Sequence, residues 1–139
     1  MTFEAAVRSC LSKCTTFTGR APRSEFWWFC LFLWLAEAAL LIVVGLLVAG
    51  LLLLLRDNQR LFTVILTNGF NLLSIFINVS FLALFLAVSV RRLHDIGRSG
   101  WWVLLAIAPL GILVVIYWWA QPSAPKANSY GAPPLPAAG

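Results

Sequence analysis

With 139 residues the chain holds one domain at most, and 61% of its residues are hydrophobic while only 11% are charged. A soluble domain carries roughly a quarter charged residues, so a chain with mean hydropathy +0.90 has too little polar side chain to cover a globule, which excludes a soluble fold. The net charge of +5 is assigned to membrane topology and anionic headgroups instead of nucleic acid, because the basic residues gather at the ends of apolar runs.

Residues 2–16 read as a short amphipathic helix. Phe3, Val7, Cys10, Leu11 and Cys14 recur at helical spacing, and Glu4, Arg8, Ser12 and Lys13 fall largely elsewhere on the wheel. Such a helix lies in the membrane interface. Thr18-Gly19-Arg20-Ala21-Pro22 supplies a turn. Ser24 then offers an N-cap, with Glu25 in a first turn that favours an acid. Phe26-Trp27-Trp28-Phe29 forms an aromatic belt at the bilayer entry.

Three apolar runs follow, at about 26–55, 61–90 and 101–119. The first contains one charge, Glu37, and the other two contain none. About 20 residues suffice to cross a hydrocarbon core as a helix, so the fold class expected is all-α, with three transmembrane helices and the N-terminal interfacial helix. The first two runs exceed that length, which suggests a tilt or a bend at Gly45, Gly50 or Asn68-Gly69; a split into a fourth span is the topological rival. Arg56 to Arg60 reads as a short outer loop, and the Pro- and Ala-rich stretch 121–139 as an irregular outer tail. The domain layout is then 1–16 interfacial helix, 17–120 transmembrane domain and 121–139 tail. Seven of the ten basic residues fall before span one or between spans two and three. The positive-inside rule therefore puts the N-terminus in the cytoplasm and, with three spans, the C-terminus outside.

Cys10, Cys14 and Cys30 form no C-x-x-C pair and, with one distant histidine, no zinc-ligand pattern. Reduced thiols are expected, and neither metal nor cofactor.

Three constellations carry chemistry. Glu37 lies about 17 Å into the bilayer from Phe26. Span two carries Asn71, Ser74 and Asn78 along one face, with Asn78 at matching depth. The functional reading is a proton or cation site; the structural one is a neutral Glu37 hydrogen-bonded to Asn78, gluing the spans together. The second constellation is Arg91, Arg92, His94, Asp95 and Arg98, between spans two and three. It reads first as a basic helix end and tight turn, with Asp95 paired to Arg91 or Arg92, and next as a grip on a lipid phosphate. A general base at His94 oriented by Asp95 ranks last, since sequence neighbours seldom point correctly and no nucleophile is marked. The third joins Arg20, Arg23 and Glu25, where Glu25 has a choice of arginines on its own segment or in 91–98.

Phe17-Thr18-Gly19-Arg20-Ala21-Pro22-Arg23-Ser24-Glu25-Phe26-Trp27 resembles the F-x-G-R-x-x-R-x-E-[FY]-W pattern of the bacterial domain of unknown function 805 family, small inner-membrane proteins. Arg91 to Trp102 is similar to that family's R-R-L-H-D-x-x-R-S-x-W-W segment. The stretch from Pro122 to Gly131 is similar to its P-G-x-x-G-x-N-x-[FY]-G ending, with Ser123 and Lys126 where glycine is usual. The resemblance implies a helical protein of the bacterial inner membrane and brings no reaction, substrate or cofactor. The leading expectation is a noncatalytic membrane protein whose cytoplasmic Arg/His/Asp cluster contacts anionic lipid headgroups or a membrane partner, with a homo-oligomer open. A small transporter or channel subunit using Glu37 is the alternative, and a headgroup-modifying enzyme using His94 the third.

Overall fold

The computed structural model describes residues 1–54 and 59–134. It is all-α: α1 (Phe3–Ser12), α2 (Arg23–Leu54), α3 (Gln59–Asp95), a 3-10 helix (Gly100–Ile107) and α4 (Gly111–Ala120). Two stretches, Arg23–Leu54 and Thr63–Asp95, are long and apolar enough to cross a membrane.

α1 starts at Thr2, whose hydroxyl accepts from the Ala5 amide, and it buries Ala6 and Cys10. α2 begins directly after Pro22, one residue ahead of the expected Ser24 cap, and the Phe26 amide donates to the Pro22 carbonyl. Both long helices run unbroken through Gly45, Gly50 and Asn68-Gly69, so neither splits into a further span. The expected outer loop falls mostly on residues 55–58, outside the described residues; Gln59 and Arg60 already belong to α3.

α3 is longer than its apolar run. Its 37 residues rise ~55 Å against a core of ~30 Å, and the surplus carries Arg91 to Asp95 as helix instead of loop. The helix ends in a Schellman motif, with the Arg98 amide donating to the Leu93 carbonyl and Gly97 at φ +77°.

The run 101–119 corrects the sequence expectation, since it is not one spanning helix. Pro109 has no amide hydrogen and disfavours helical backbone at the residue before it. Ala108 is accordingly extended, at ψ 140°. The chain reverses there, and Trp102 meets Trp118 edge to face with ring centroids 5.7 Å apart. Gly111 makes the reversal possible: a Cβ there would lie 1.9 Å from the Leu105 carbonyl oxygen. Eight 3-10 residues and ten α residues make arms of ~16 and ~15 Å, so the run returns to where it began. The tail therefore meets the end of α3 rather than a far side: the Ala124 amide donates to the Asp95 carbonyl.

The chain divides into two compact units. The first joins Met1–Phe32 to the described residues from Ala83 onward. Its buried core includes Phe26, Phe29, Val88, Leu93, Val115 and Trp119. The second is Leu33–Leu82, apolar helix with mostly exposed side chains.

Candidate functional site

The first unit encloses a charged network. Arg20, Glu25, Arg91, Arg92 and Asp95 are only 8, 3, 1, 0 and 0% exposed. Arg91 Nη1 donates to Glu25 Oε1 at 3.1 Å and Arg20 Nε to Asp95 Oδ1 at 2.9 Å, while Arg92 Nη1 holds Asp95 Oδ2. Of the partners open to Glu25, the structure selects Arg91; Asp95 takes Arg92 and also Arg20.

Three guanidiniums face two carboxylates, and backbone carbonyls accept further donors of Arg20 and Arg92, while Arg91 Nε is buried without a hydrogen-bond partner among the described residues. Arg92 donates to the carbonyls of Trp119, Ala21 and Gln121. Arg20 donates to those of Asp95, Ala124, Lys126 and Gly131. The Trp119 and Gln121 carbonyls close α4, where a cation also complements the helix dipole. The network thus ties together the turn before α2, the end of α3, the end of α4 and the tail.

Cys10 belongs to the same network. Its thiol donates to Glu25 Oε1 at 3.3 Å and accepts from Arg91 Nη2 at 3.6 Å. Burial, reinforced by the Glu25 charge, pushes its pKa up to about 12.

His94 is held by the tail. Its ring stacks on Tyr130 with centroids 3.8 Å apart, and Nδ1 lies 3.3 Å from the Gly19 carbonyl. Asn128 Nδ2 donates to the His94 carbonyl, and Asn128 Oδ1 accepts from the Tyr130 amide. Asp95 spends both oxygens on Arg20 and Arg92, so the base-and-orienter geometry considered for His94 and Asp95 is not made. Residue-by-residue reading passed over Asn128, Tyr130 and Gly131; the N-x-[FY]-G resemblance was the signal that marked them. Gly131 adopts φ +128°, a region an L side chain rarely enters, and its carbonyl reaches Arg20.

Arg23 and Arg98 stand apart from the buried set, since both are exposed. Arg23 Nη1 donates to the Ala120 carbonyl at 3.3 Å, and the Arg98 guanidinium lies 4.1 Å over the Trp118 ring. They flank the end of α4. Beside Arg98 is an open cleft of about 340 Å³ lined by Ile96, Tyr117, Trp118, Gln121 and Pro122.

The second unit holds the other sequence-marked residues. Glu37 is half-buried and makes no hydrogen bond among the described residues. Ser74 Oγ donates to the Phe70 carbonyl and Asn78 Nδ2 to the Ser74 carbonyl, each at 2.8 Å. Asn78 therefore bonds back to its own helix instead of to Glu37, and Asn71 is exposed. Among the described residues no group of three His, Cys, Asp or Glu side chains is placed to hold a metal ion.

Residues 14–132 match a family described as protein of unknown function (DUF805). The inner membrane protein YhaH of Escherichia coli strain K12 is 33% identical over 119 residues, covering 85% of this chain and 86% of its own. The inner membrane protein YhaI of the same strain is 32% identical over 127 residues, covering 91% and 92%. No solved structure gives a significant match.

Proposed function

The chain belongs to the DUF805 family, and on that premise we propose a noncatalytic integral protein of the bacterial inner membrane that holds anionic phospholipid headgroups on Arg23 and Arg98 at its cytoplasmic face. In this reading α2 and α3 span the bilayer, α1 lies at the interface, and the run 100–120 dips about half-way into the core and returns. Both termini are then cytoplasmic. Eight of the ten basic residues stand inside and only Arg56 and Arg60 outside, a sharper positive-inside bias than three spans would give.

The observation that carries the headgroup site is the pair of exposed guanidiniums at the end of α4. Arg91 and Arg92 are buried and committed to Glu25, Asp95 and backbone carbonyls, so they are not free to meet lipid. Arg98 stands over Trp118 at the cleft mouth and Arg23 reaches Ala120. Tyr117, Trp118 and Trp102 mark the level where an aromatic belt meets headgroups. A phosphate there takes charge-assisted hydrogen bonds from two guanidiniums.

Native mass spectrometry of the gently extracted protein tests it. The wild type is expected to retain anionic phospholipid, with occupancy falling ~10-fold in Arg23→Ala/Arg98→Ala as two charge-assisted bonds are lost. Equal retention by the two proteins overturns the site.

A further inference from the structure

α3 carries a polar feature that the cytoplasmic network does not use. Thr67, Asn71, Ser74 and Asn78 follow one another at steps of four, three and four, the a/d spacing of a heptad seam. All four lie within Thr63–Asp95, the second stretch able to cross a membrane. Thr67, Asn71 and Asn78 are exposed and Ser74 half-buried, while neighbouring Ile77 is buried. The seam therefore faces outward from its unit.

Internal bonds leave much of it unsatisfied. Asn78 commits one N–H to the Ser74 carbonyl, which leaves its carboxamide oxygen and second N–H. Asn71 makes no side-chain hydrogen bond among the described residues. Lipid tails offer these groups neither donor nor acceptor, so in hydrocarbon they associate with polar groups of another helix.

We infer that α3 pairs in the membrane with α3 of a second copy of this chain, in a parallel homodimer with Asn71 against Asn71 and Asn78 against Asn78. Self-complementarity selects a second copy: a carboxamide is donor and acceptor at once, so two identical ones satisfy each other. Geometry selects the parallel form. Copies inserted with one orientation are related by a two-fold axis along the membrane normal, which brings each residue to its own counterpart. Asparagine at a positions fixes register and strand number in such seams. The inference rests on α3 spanning the bilayer and is independent of the headgroup site.

The test uses the full chain, fluorescently labelled and diluted into phosphatidylethanolamine–phosphatidylglycerol liposomes, with subunits counted by stepwise photobleaching. Wild type is expected to bleach in two steps, and Asn71→Leu/Asn78→Leu to weaken dimerisation ~10-fold, with helix content unchanged by circular dichroism. Cysteine crosslinking supplies a readout that tolerates a poorly folding double variant. Asn71→Cys and Asn78→Cys are expected to form intermolecular disulfides above the background of the native cysteines. Leu72→Cys and Phe76→Cys, exposed on the other side of the helix, are expected not to. Monomeric wild type, an undiminished dimer in the double variant, or equal crosslinking on both sides overturns the inference.

Discussion

Asp95 accepts from two guanidiniums at zero exposure, so its removal strands two buried cations at once. Asp95→Ala is expected to lower unfolding stability by ~3–5 kcal/mol, read as a shifted denaturation midpoint in detergent. Ser89, six residues earlier on α3, supplies the contrast, because its hydroxyl is buried without a hydrogen-bond partner among the described residues. Ser89→Ala removes an unsatisfied polar atom and should be neutral or slightly stabilising in the same assay. Cys10 gives a chemical readout of the same network. Its pKa, raised to about 12, leaves roughly one thiolate in 10⁴ at pH 8, and the thiolate is the reactive form. Maleimide or iodoacetamide at pH 8 should therefore spare Cys10 in the folded protein and modify it after denaturation, as peptide mapping would show. The pairs themselves were only half legible. The sequence offers Glu25 and Asp95 several arginines each, and which arginine each carboxylate meets depends on how α2, α3 and the tail pack.

At the scale of the element, the run 101–119 shows where apolar length misleads. Hydropathy and length describe a third span, yet Pro109 sits at its middle and Gly111 two residues on. Both were readable as a break, and the uniform apolar character on either side concealed them. Gly111 is the more restrictive of the two. Gly111→Ala places a Cβ against the Leu105 backbone carbonyl, which no rotamer change relieves, so the arms must separate. A loss of ~3 kcal/mol or more is expected. Gly69 in α3 meets nothing within 4 Å, and Gly69→Ala should add ~0.5–1 kcal/mol through helix propensity. Paired thermal unfolding of the two variants reads both signs. By contrast, α1 and the existence of α2 and α3 followed from periodicity and run length, because those signals are local.

For the molecule as a whole, the hairpin underlies the proposed placement of the tail. Three spans would put the C-terminus outside; in the proposed two-span topology a run that returns to its start, with Ala124 bonded to Asp95 and Gly131 to Arg20, keeps the described tail on the side of the N-terminus. A C-terminal green fluorescent protein fusion is expected to fluoresce, and a C-terminal alkaline phosphatase fusion to stay inactive, because that enzyme needs the oxidising periplasm for its disulfides. The reverse pattern would restore the third span.

Composition and patterning determined that this is an all-α membrane protein and located its two long apolar helices, along with a third span that the structure does not keep, because every spanning backbone must satisfy its hydrogen bonds within its own helix and about 20 apolar residues suffice. They also marked the residues of the buried network, since charges beside apolar runs are few and conspicuous. Only the tertiary structure decided that Arg20, Arg91 and Arg92 are internal fasteners while Arg23 and Arg98 face outward. Burial and pairing are set by contacts between residues up to 111 positions apart, and no local spacing encodes those contacts.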